Sequence, residues 1–568
     1  MTTQLRSPHS RTTLTLLVCL ALLAGSNAGV AQQPTATRIE QAEKEPQNWL
    51  TYYGNYGAWS YSPLQQVTRE NVAQLMPVWA FPAGGPTNPS LRAGLEAAPL
   101  VVDGVLYLAG MQNNVYAVEA ATGRRLWNYI YTWPAREIPG GRGVRGLAAG
   151  EGLIFMGTQD ARLVALDART GKEVWNVAID DVFTCRCAIT SAPLYLKGKV
   201  VTGIAGGDQP FRGYIKAADA KTGKLLWTFY TIPAPGEPDS DTWIGDTWKT
   251  GGVATWLPGS YDPDLNLIYW GTGNAFPDLV GEGRPGSNLY AASIVALDAD
   301  TGKLKWYFQE TPHDVYDFDS NPEPVLFDAT FGGQRRTLVL HSSKNGFAYL
   351  LDRKTGEFLK GFPFAATVNW AKGLDANGKP IDPFVPEREE SATATLTCPG
   401  TTGARNFNHS AYSPRLGWWF TSSTEMCSRI EPGPNLRAGR GPNPDVPPHI
   451  SAFDPLTGKE QWRFATKYVN QSSLLVTAGD LIFGGDMDGD AFALDARTGR
   501  KLWSFNTGGR IVSPPVAFSV NGRQFVAIGS GGGSIADGQV STYWPETMGR
   551  EPQSAATLFV FALPERSR

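Results

Sequence analysis

A nine-residue phrase recurs along this chain and constrains its fold more than any other feature. The phrase reads Asp-Ala-x-Thr-Gly-Lys-x-x-Trp. Three full copies end at Trp175, Trp227 and Trp306, and four looser copies end at Trp127, Leu359, Trp462 and Trp503. An apolar run such as Gly152-Leu-Ile-Phe-Met-Gly157 precedes each copy. Repetition of this kind is typical of stacked copies of one supersecondary unit.

Each unit is predicted to contain a turn between short strands. The apolar run and the alternating segment around Leu163 and Ala165 predict two buried strands. In the phrase itself, the Asp and Thr side chains bond nearby backbone amides while the Gly takes a positive φ. The segment after this turn predicts a third strand, and we expect its closing Trp to wedge between neighbouring sheets.

The number of unit ends predicts the architecture. Trp79 closes a similar segment without the turn, which brings the unit ends to eight. Eight four-stranded sheets around an axis form an all-β, eight-bladed β-propeller, an arrangement that leaves only short sheet edges. We expect the ring to close by pairing of the strand at residues 558–563 with the N-terminal units.

Composition agrees with one large β domain. The 568 residues include 63 Gly, 41 Pro and 18 Trp, which suits a turn-rich chain. Because a propeller grows by repetition, residues 32–568 are predicted to form a single domain. The net charge of −3 provides no basic surface for nucleic acid and no polybasic segment for membranes.

Residues 1–31 are predicted to be a secretory signal peptide. Arg6 and Arg11 precede an apolar stretch at residues 14–24, and small residues follow up to Ala31. The apolar stretch is too short for a stable membrane span. We therefore expect the mature protein in the periplasm.

Four cysteines remain in the mature chain. Cys398 and Cys427 lie in a long irregular region, and we expect a disulfide between them. A loop of that length is stabilised by roughly 3–4 kcal/mol in the chain-entropy model. Cys185 and Cys187 form either a small disulfide ring or two free thiols. The chain contains no Cys-x-x-Cys-His motif for covalent haem.

Four segments between the repeats carry a resemblance to a known family. They are Trp59-Ser-Tyr-Ser-Pro-Leu64, Gly245-Asp-Thr-Trp-Lys-Thr-Gly-Gly-Val-Ala-Thr-Trp256, residues 261–274 and Thr311-Pro-His-Asp-Val-Tyr-Asp-Phe-Asp319. With these segments the chain resembles the PQQ-dependent (quinoprotein) alcohol dehydrogenases, which are eight-bladed propellers of the periplasm. The resemblance covers residues 47–563.

The resemblance implies a metal ion beside the cofactor PQQ. Its ligands would be Asp208, Asn274 and Asp317, whose oxygen atoms suit calcium. The ion would act as a Lewis acid on the quinone carbonyl. Asp317 would be the general base for the alcohol, and Lys344 would stabilise negative charge on the quinone oxygens.

The same resemblance implies a binding site for the flat PQQ ring system. Trp256 would be the floor on which the rings stack. The other residues implied to contact PQQ are Glu96, Arg145, Thr190 and Asn406. The Cys398–Cys427 pair also matches a disulfide of the family. His313 is expected to orient its loop rather than bind metal.

Three departures from the family pattern concern the site. Pro139 and Gly140 replace a pair of adjacent cysteines that covers PQQ in many relatives, and one hypothesis is that Cys185 and Cys187 take that role. Asp208 is shorter than the usual glutamate. Asp319 adds a carboxylate and a possible fourth metal ligand. It resembles lanthanide-using members, but the glucose-oxidising branch also carries it, so calcium is the first expectation.

We therefore expect a dehydrogenase that oxidises a secondary or bulky alcohol. Because the chain lacks a haem motif, a soluble cytochrome c or similar periplasmic acceptor is the expected electron partner. A sugar or polyol dehydrogenase is the first alternative. A non-catalytic scaffold of outer-membrane assembly, and a hydrolase or lyase built on Asp317 and His313, are the others.

Overall fold

The computed structural model describes residues 34–84, 94–133, 143–385, 393–432, 437–441, 445–532, 537–547 and 556–565. The predicted signal peptide, Pro139 and Gly140 lie outside these ranges. Among the described residues, no helix combines the length and the apolar character needed to cross a membrane.

The described residues form eight antiparallel four-stranded sheets, which confirms the predicted propeller. Five of them use consecutive strands of the chain: Leu100–Val102, Val105–Ala109, Val115–Glu119 and Arg125–Tyr129; Ala148–Gly150, Leu153–Gly157, Arg162–Asp167 and Glu173–Ala178; Leu194–Leu196, Lys199–Thr202, Tyr214–Asp219 and Leu225–Tyr230; Ser260–Asp262, Leu267–Gly271, Ser293–Asp298 and Leu304–Gln309; Val325–Phe331, Gln334–Ser342, Phe347–Asp352 and Phe358–Pro363.

The last three sheets carry insertions or extra strands. The first comprises Ala411–Ser413, Trp418–Ser423, His449–Asp454 and Lys459–Ala465. The second comprises Leu475–Thr477, Leu481–Gly485, Asp490–Asp495 and Lys501–Asn506, with Tyr61–Ser62 paired in parallel to its first strand. The third comprises Val516–Val520, Arg523–Ser530, Thr557–Ala562 and Met76–Pro82.

The third of these sheets closes the ring. Met76–Pro82 pairs antiparallel with Thr557–Ala562, so an N-terminal strand and the C-terminal strand share one sheet. This confirms the predicted closure. The eight predicted unit ends, Trp79 to Trp503, all lie in the outermost strands of the eight sheets.

The repeated phrase has the predicted turn chemistry. Asp167 accepts hydrogen bonds from the backbone N–H of Thr170 at 2.8 Å and from its hydroxyl at 2.7 Å. Trp127 of the preceding sheet donates from its indole nitrogen to the carbonyl of Ala168 at 3.0 Å. A Cβ on Gly171 would lie 2.5 Å from that indole ring, and its φ is +71°. Glycine is therefore required for the turn and for the neighbouring Trp.

The remaining elements are short. Helices span Ala36–Glu40, Val182–Cys185 and Asp537–Tyr543, and 3-10 turns span Ala42–Lys44, Val72–Gln74, Met111–Asn113, Ser240–Thr242, Thr247–Lys249 and Pro545–Thr547. A small separate sheet contains Thr395–Thr397, Ser428–Glu431 and Arg437–Arg440. The Cys398–Cys427 disulfide is formed between the first two of these strands, as predicted, with Cα atoms 4.5 Å apart.

Candidate active site

Strand order explains why the predicted site residues reach one face of the propeller. In an antiparallel sheet, the start of the first strand and the end of the second lie at the same end. The site residues that precede first strands are Glu96, Arg145, Thr190, Trp256, Asp317, Asp319 and Asn406. Those that follow second strands are Asp208, Asn274 and Lys344. All ten therefore lie at the same end of their sheets.

Lys344 joins two of the predicted acidic residues. Its ammonium lies 2.9 Å from Oδ1 of Asp317 and 2.6 Å from Oδ2 of Asp319. Lys344 and Asp319 are buried, whereas the Asp317 side chain is 20% exposed. Of the three groups, the Asp317 carboxylate is thus the one most accessible to a substrate.

Asp319 connects this cluster to Asn274 and Trp256. Its Oδ1 accepts from the backbone N–H of Asn274 at 3.0 Å and from the indole N–H of Trp256 at 3.3 Å. The Asn274 amide group lies 3.5 Å from Oδ1 of Asp208. A Cβ on Gly273 would lie 2.5 Å from Oδ1 of Asp319, so a side chain there would displace the carboxylate.

A left-handed turn presents Asp317. Its φ is +63°, a conformation that costs a non-glycine residue about 1–3 kcal/mol. The buried Asp314 carboxylate accepts from the backbone N–H groups of Tyr316 and Phe318, each at 3.0 Å. These two bonds bracket Asp317 and hold the turn. His313 bonds the Gly286 carbonyl through Nδ1 at 2.8 Å, which agrees with the expected loop-orienting role.

Electrostatics distinguish the predicted base from the predicted cation. Burial raises the pKa of Asp317 well above its ordinary value, and Asp319 and Asp208 raise it further against the opposing charge of Lys344. Burial alone would lower the pKa of Lys344, but the two carboxylates outweigh burial and leave that pKa raised. Lys344 therefore remains a cation, while Asp317 is a carboxyl group with enhanced affinity for a proton.

Trp256 and Arg145 form the centre of the predicted PQQ site. The Arg145 guanidinium carbon lies 5.3 Å from the centroid of the Trp256 ring and 5.3 Å from that of Phe407. Arg145 also lies 3.3 Å from Oε2 of Glu96. Thr190 donates from its hydroxyl to the Trp256 carbonyl at 3.1 Å.

Asn406 has a looser connection to this group. Its side chain donates to the carbonyl of Thr402 at 3.0 Å, within its own loop. Its neighbour Phe407 makes the contact with Arg145. The site therefore gathers nine of the ten predicted residues through mutual contacts or a shared partner, and places Asn406 beside them.

The side chains fit the metal ion and the PQQ that the resemblance implies. Asp208, Asp317 and Asp319 offer carboxylate oxygens and Asn274 an amide oxygen, which is the ligand chemistry of a hard cation. The buried Nε of Arg145 has no hydrogen-bond partner among the described residues. The guanidinium of Arg145 next to the partly exposed Trp256 ring suits a flat, polyanionic ligand.

Three supporting residues were not recognised from the sequence. Asn321 accepts from the Trp256 backbone N–H at 2.7 Å and lies 3.5 Å from Oδ1 of Asp319, so it holds both. Asp314 holds the Asp317 turn, and Phe407 contacts Arg145. Asp314 lies within the motif at residues 311–319, so the sequence did contain a signal for it. Asn321 and Phe407 carry no local sequence signal.

Comparison with known proteins identifies the family. The family model for the PQQ glucose/ethanol/alcohol dehydrogenase beta-propeller domain matches residues 49–364. A second model, that of the outer membrane protein assembly factor BamB, matches residues 448–543. The quinoprotein alcohol dehydrogenase PedH of Pseudomonas putida is 36% identical, with 97% of each chain covered.

Solved structures of the same family are similar to this chain over most of its length. A europium-containing methanol dehydrogenase superposes with a TM-score of 0.86 at 32% identity, covering 93% of this chain and all of the other. The quinohemoprotein alcohol dehydrogenase ADHIIG of Pseudomonas putida HK5 gives a TM-score of 0.86 at 31% identity, covering 95% of this chain and 84% of the other. Fold and site thus define a propeller dehydrogenase. The chain belongs to the PQQ-dependent alcohol dehydrogenase family.

Proposed function

We propose that this protein oxidises an alcohol to the corresponding carbonyl compound in the periplasm, using PQQ and a bound metal ion. The observation that carries the proposal is the cluster of Asp208, Asn274, Asp317, Asp319 and Lys344 beside Trp256. When bound, PQQ supplies the hydride acceptor and the ion supplies a Lewis acid.

Asp317 takes the hydroxyl proton of the alcohol at its carboxylate. It is the more exposed acid of the pair bound to Lys344, so its carboxylate is the one that a substrate can reach. Lys344 supplies a fixed positive charge where negative charge develops. Trp256 and Arg145 orient the cofactor, and Glu96, Thr190 and Asn406 complete its surroundings.

The metal ion is held by Asp208, Asn274, Asp317 and Asp319. Calcium is the expectation from the sequence. Asp319 favours a trivalent lanthanide, because its carboxylate is the third in the cluster and increases the negative charge there. The similarity to a europium-containing methanol dehydrogenase supports testing both ions.

A secondary or bulky alcohol is the proposed substrate class, and a sugar or polyol is the alternative. Electrons leave to a separate cytochrome c or similar periplasmic acceptor. A scaffold role of the kind named for BamB is disfavoured. That model matches only residues 448–543, and a scaffold has no use for the ion pairs that join Lys344 to Asp317 and Asp319.

Dye-linked alcohol oxidation tests the proposal. The purified protein is assayed with and without PQQ, in calcium or lanthanum, over substrates from ethanol to bulky secondary alcohols and sugars. We expect activity that requires both PQQ and one of the ions and is lost in Asp317→Ala. Asp300→Ala, at a half-exposed surface ion pair with Lys199, is the control and should stay active. Absence of PQQ binding with either ion would overturn the proposal.

A further inference from the structure

A second disulfide lies close to the predicted metal ligands. Cys185 and Cys187 are bonded, with Cα atoms 5.1 Å apart and only Arg186 between them. Cys187 is 1% exposed, and both cysteines belong to an apolar cluster that also contacts Trp256. Arg186 takes a left-handed conformation with φ +51° to allow the small ring. The sequence left this pair open between a disulfide and two thiols.

The disulfide lies directly against the loop that carries Asp208. Ala188 and Ala205 exchange two backbone hydrogen bonds, at 3.1 and 2.8 Å. A Cβ on Gly206 would lie 3.3 Å from the Cα of Cys187. The backbone of Cys187 therefore contacts the loop two residues before Asp208.

The same segment is tied to the cofactor site on its other side. The backbone N–H of Ile189 donates to the Thr158 carbonyl at 2.9 Å. Thr190 donates to the Trp256 carbonyl and accepts from the backbone N–H of Arg145 at 3.0 Å. Residues 185–190 thus lie between the Asp208 loop and the residues predicted to hold PQQ.

Chain entropy gives little reason for a disulfide of this size. Its stabilisation grows with the length of the closed loop, so a pair separated by two positions gains far less than Cys398–Cys427, separated by 29. A small ring instead restricts the local backbone. Restricting backbone that supports a metal ligand increases metal affinity, because the ligand is held in place before the ion arrives.

We propose that the Cys185–Cys187 disulfide is a clamp that positions Asp208 for metal binding. The proposal rests on the metal site of the proposed function. It assigns the pair a positioning role behind the metal ligand, whereas the sequence-based hypothesis placed it over PQQ.

Terbium binding tests the clamp without an activity measurement. Terbium emission sensitised by tryptophan is titrated in the wild-type protein, with and without one equivalent of PQQ. Trp256 suits this probe because its indole nitrogen lies 3.3 Å from Oδ1 of Asp319. The test variant is Cys185→Ser/Cys187→Ser, and the matched control is Cys398→Ser/Cys427→Ser.

We expect terbium affinity to fall about 10- to 100-fold in the test variant and to remain unchanged in the control, as for other groups that support metal ligands. Equal affinity in the wild type and the test variant would refute the clamp. An equal loss in both variants would also refute it, since the effect would then be general destabilisation. No terbium binding by the wild type would instead refute the proposed function.

If the test variant does not fold, a second measurement can replace it. In Cys398→Ser/Cys427→Ser, the Cys185–Cys187 bond is the one disulfide left among the described residues. Dithiothreitol gives it two electrons and two protons, leaving two thiols and the cyclic disulfide of the reagent. Once a free-thiol assay shows that the bond is reduced, terbium affinity should fall while circular dichroism stays constant, and unchanged affinity of the reduced protein would refute the clamp. The new thiols beside Asp180 do not compete, because terbium prefers oxygen ligands.

Discussion

Replacing Asp314 by Asn tests how the Asp317 turn is held. Asp314 is fully buried, and its two oxygens each accept one backbone N–H, from Tyr316 and from Phe318. Burial raises the pKa of Asp314 to about 6, so the carboxylate is ionised above neutral pH. An Asn side chain keeps one acceptor oxygen and turns an NH2 group toward the other N–H.

The expected loss of kcat follows from the backbone N–H that is left without an acceptor in Asp314→Asn. A buried backbone N–H without a partner costs about 1–3 kcal/mol, similar to the cost of the left-handed conformation at Asp317. If this energy is lost from the transition state, kcat falls about 5- to 150-fold. The assay is dye-linked alcohol oxidation at pH 8 with saturating PQQ and metal ion, together with thermal unfolding of the same sample.

Asp262→Asn is the matched control. Asp262 is also buried. Its Oδ1 accepts the backbone N–H groups of Asp264 at 2.9 Å and Leu265 at 3.0 Å, and its Oδ2 forms an ion pair with Arg353 at 2.6 Å that Asn would weaken. Its turn lies at the opposite end of the strand Leu267–Gly271 from Asn274. Asp262→Asn should therefore lower the unfolding temperature and leave kcat unchanged. A kcat of folded Asp314→Asn within twofold of the wild type, or the same loss of activity in both variants, would show that Asp314 does not hold the Asp317 turn for catalysis.

Four further outcomes follow from the structure. Asp317→Asn should lower kcat about 10²- to 10⁴-fold without unfolding the protein, and near-normal turnover would exclude Asp317 as the base. Chelation of the metal ion should abolish dye reduction, and calcium or lanthanum should restore it; activity that survives chelation would contradict the metal site. Cys398→Ser/Cys427→Ser should lower the free energy of unfolding in urea by about 3–4 kcal/mol, and a change below about 1 kcal/mol would contradict the loop-closure argument. Burial lowers the pKa of His409 to about 4. As the pH is lowered, His409 of the unfolded chain is protonated near pH 6.5, whereas His409 of the folded chain stays neutral until about pH 4. The free energy of unfolding should therefore fall by roughly 3 kcal/mol between about pH 6.5 and 4. His409→Gln should flatten that slope, and an unchanged slope would contradict it.

The blade pattern could be predicted because its determinants are local. Asp167, Thr170 and Gly171 form their turn within five residues, and the same chemistry recurs in each copy. The contact with Trp127 repeats from one sheet to the next, so counting the unit ends, seven at Trp and one at Leu359, was sufficient to count the blades. Ring closure followed because an unpaired terminal strand needs a partner.

The site could not be derived in the same way. Asn321 and Trp256 are 65 positions apart and meet because adjacent sheets present their loops at one face. The bonds from Lys344 to Asp317 and Asp319 likewise join loops of different strands. The resemblance supplied these residues in the sequence, and the structure then gave their contacts. The state of Cys185 and Cys187 required backbone geometry that a three-residue sequence motif does not specify.

The cluster combines backbone strain with repulsion between like charges. Asp317 adopts a left-handed conformation, and Asp317 and Asp319 share the single ammonium of Lys344 while Asp208 adds a third negative charge. Both features destabilise a folded chain and persist only where the surroundings hold them in place. A cation bound among the three carboxylates would relieve their repulsion, so its binding energy would also be folding energy. The same charge that makes this arrangement costly is therefore what would give the site its affinity for a metal ion.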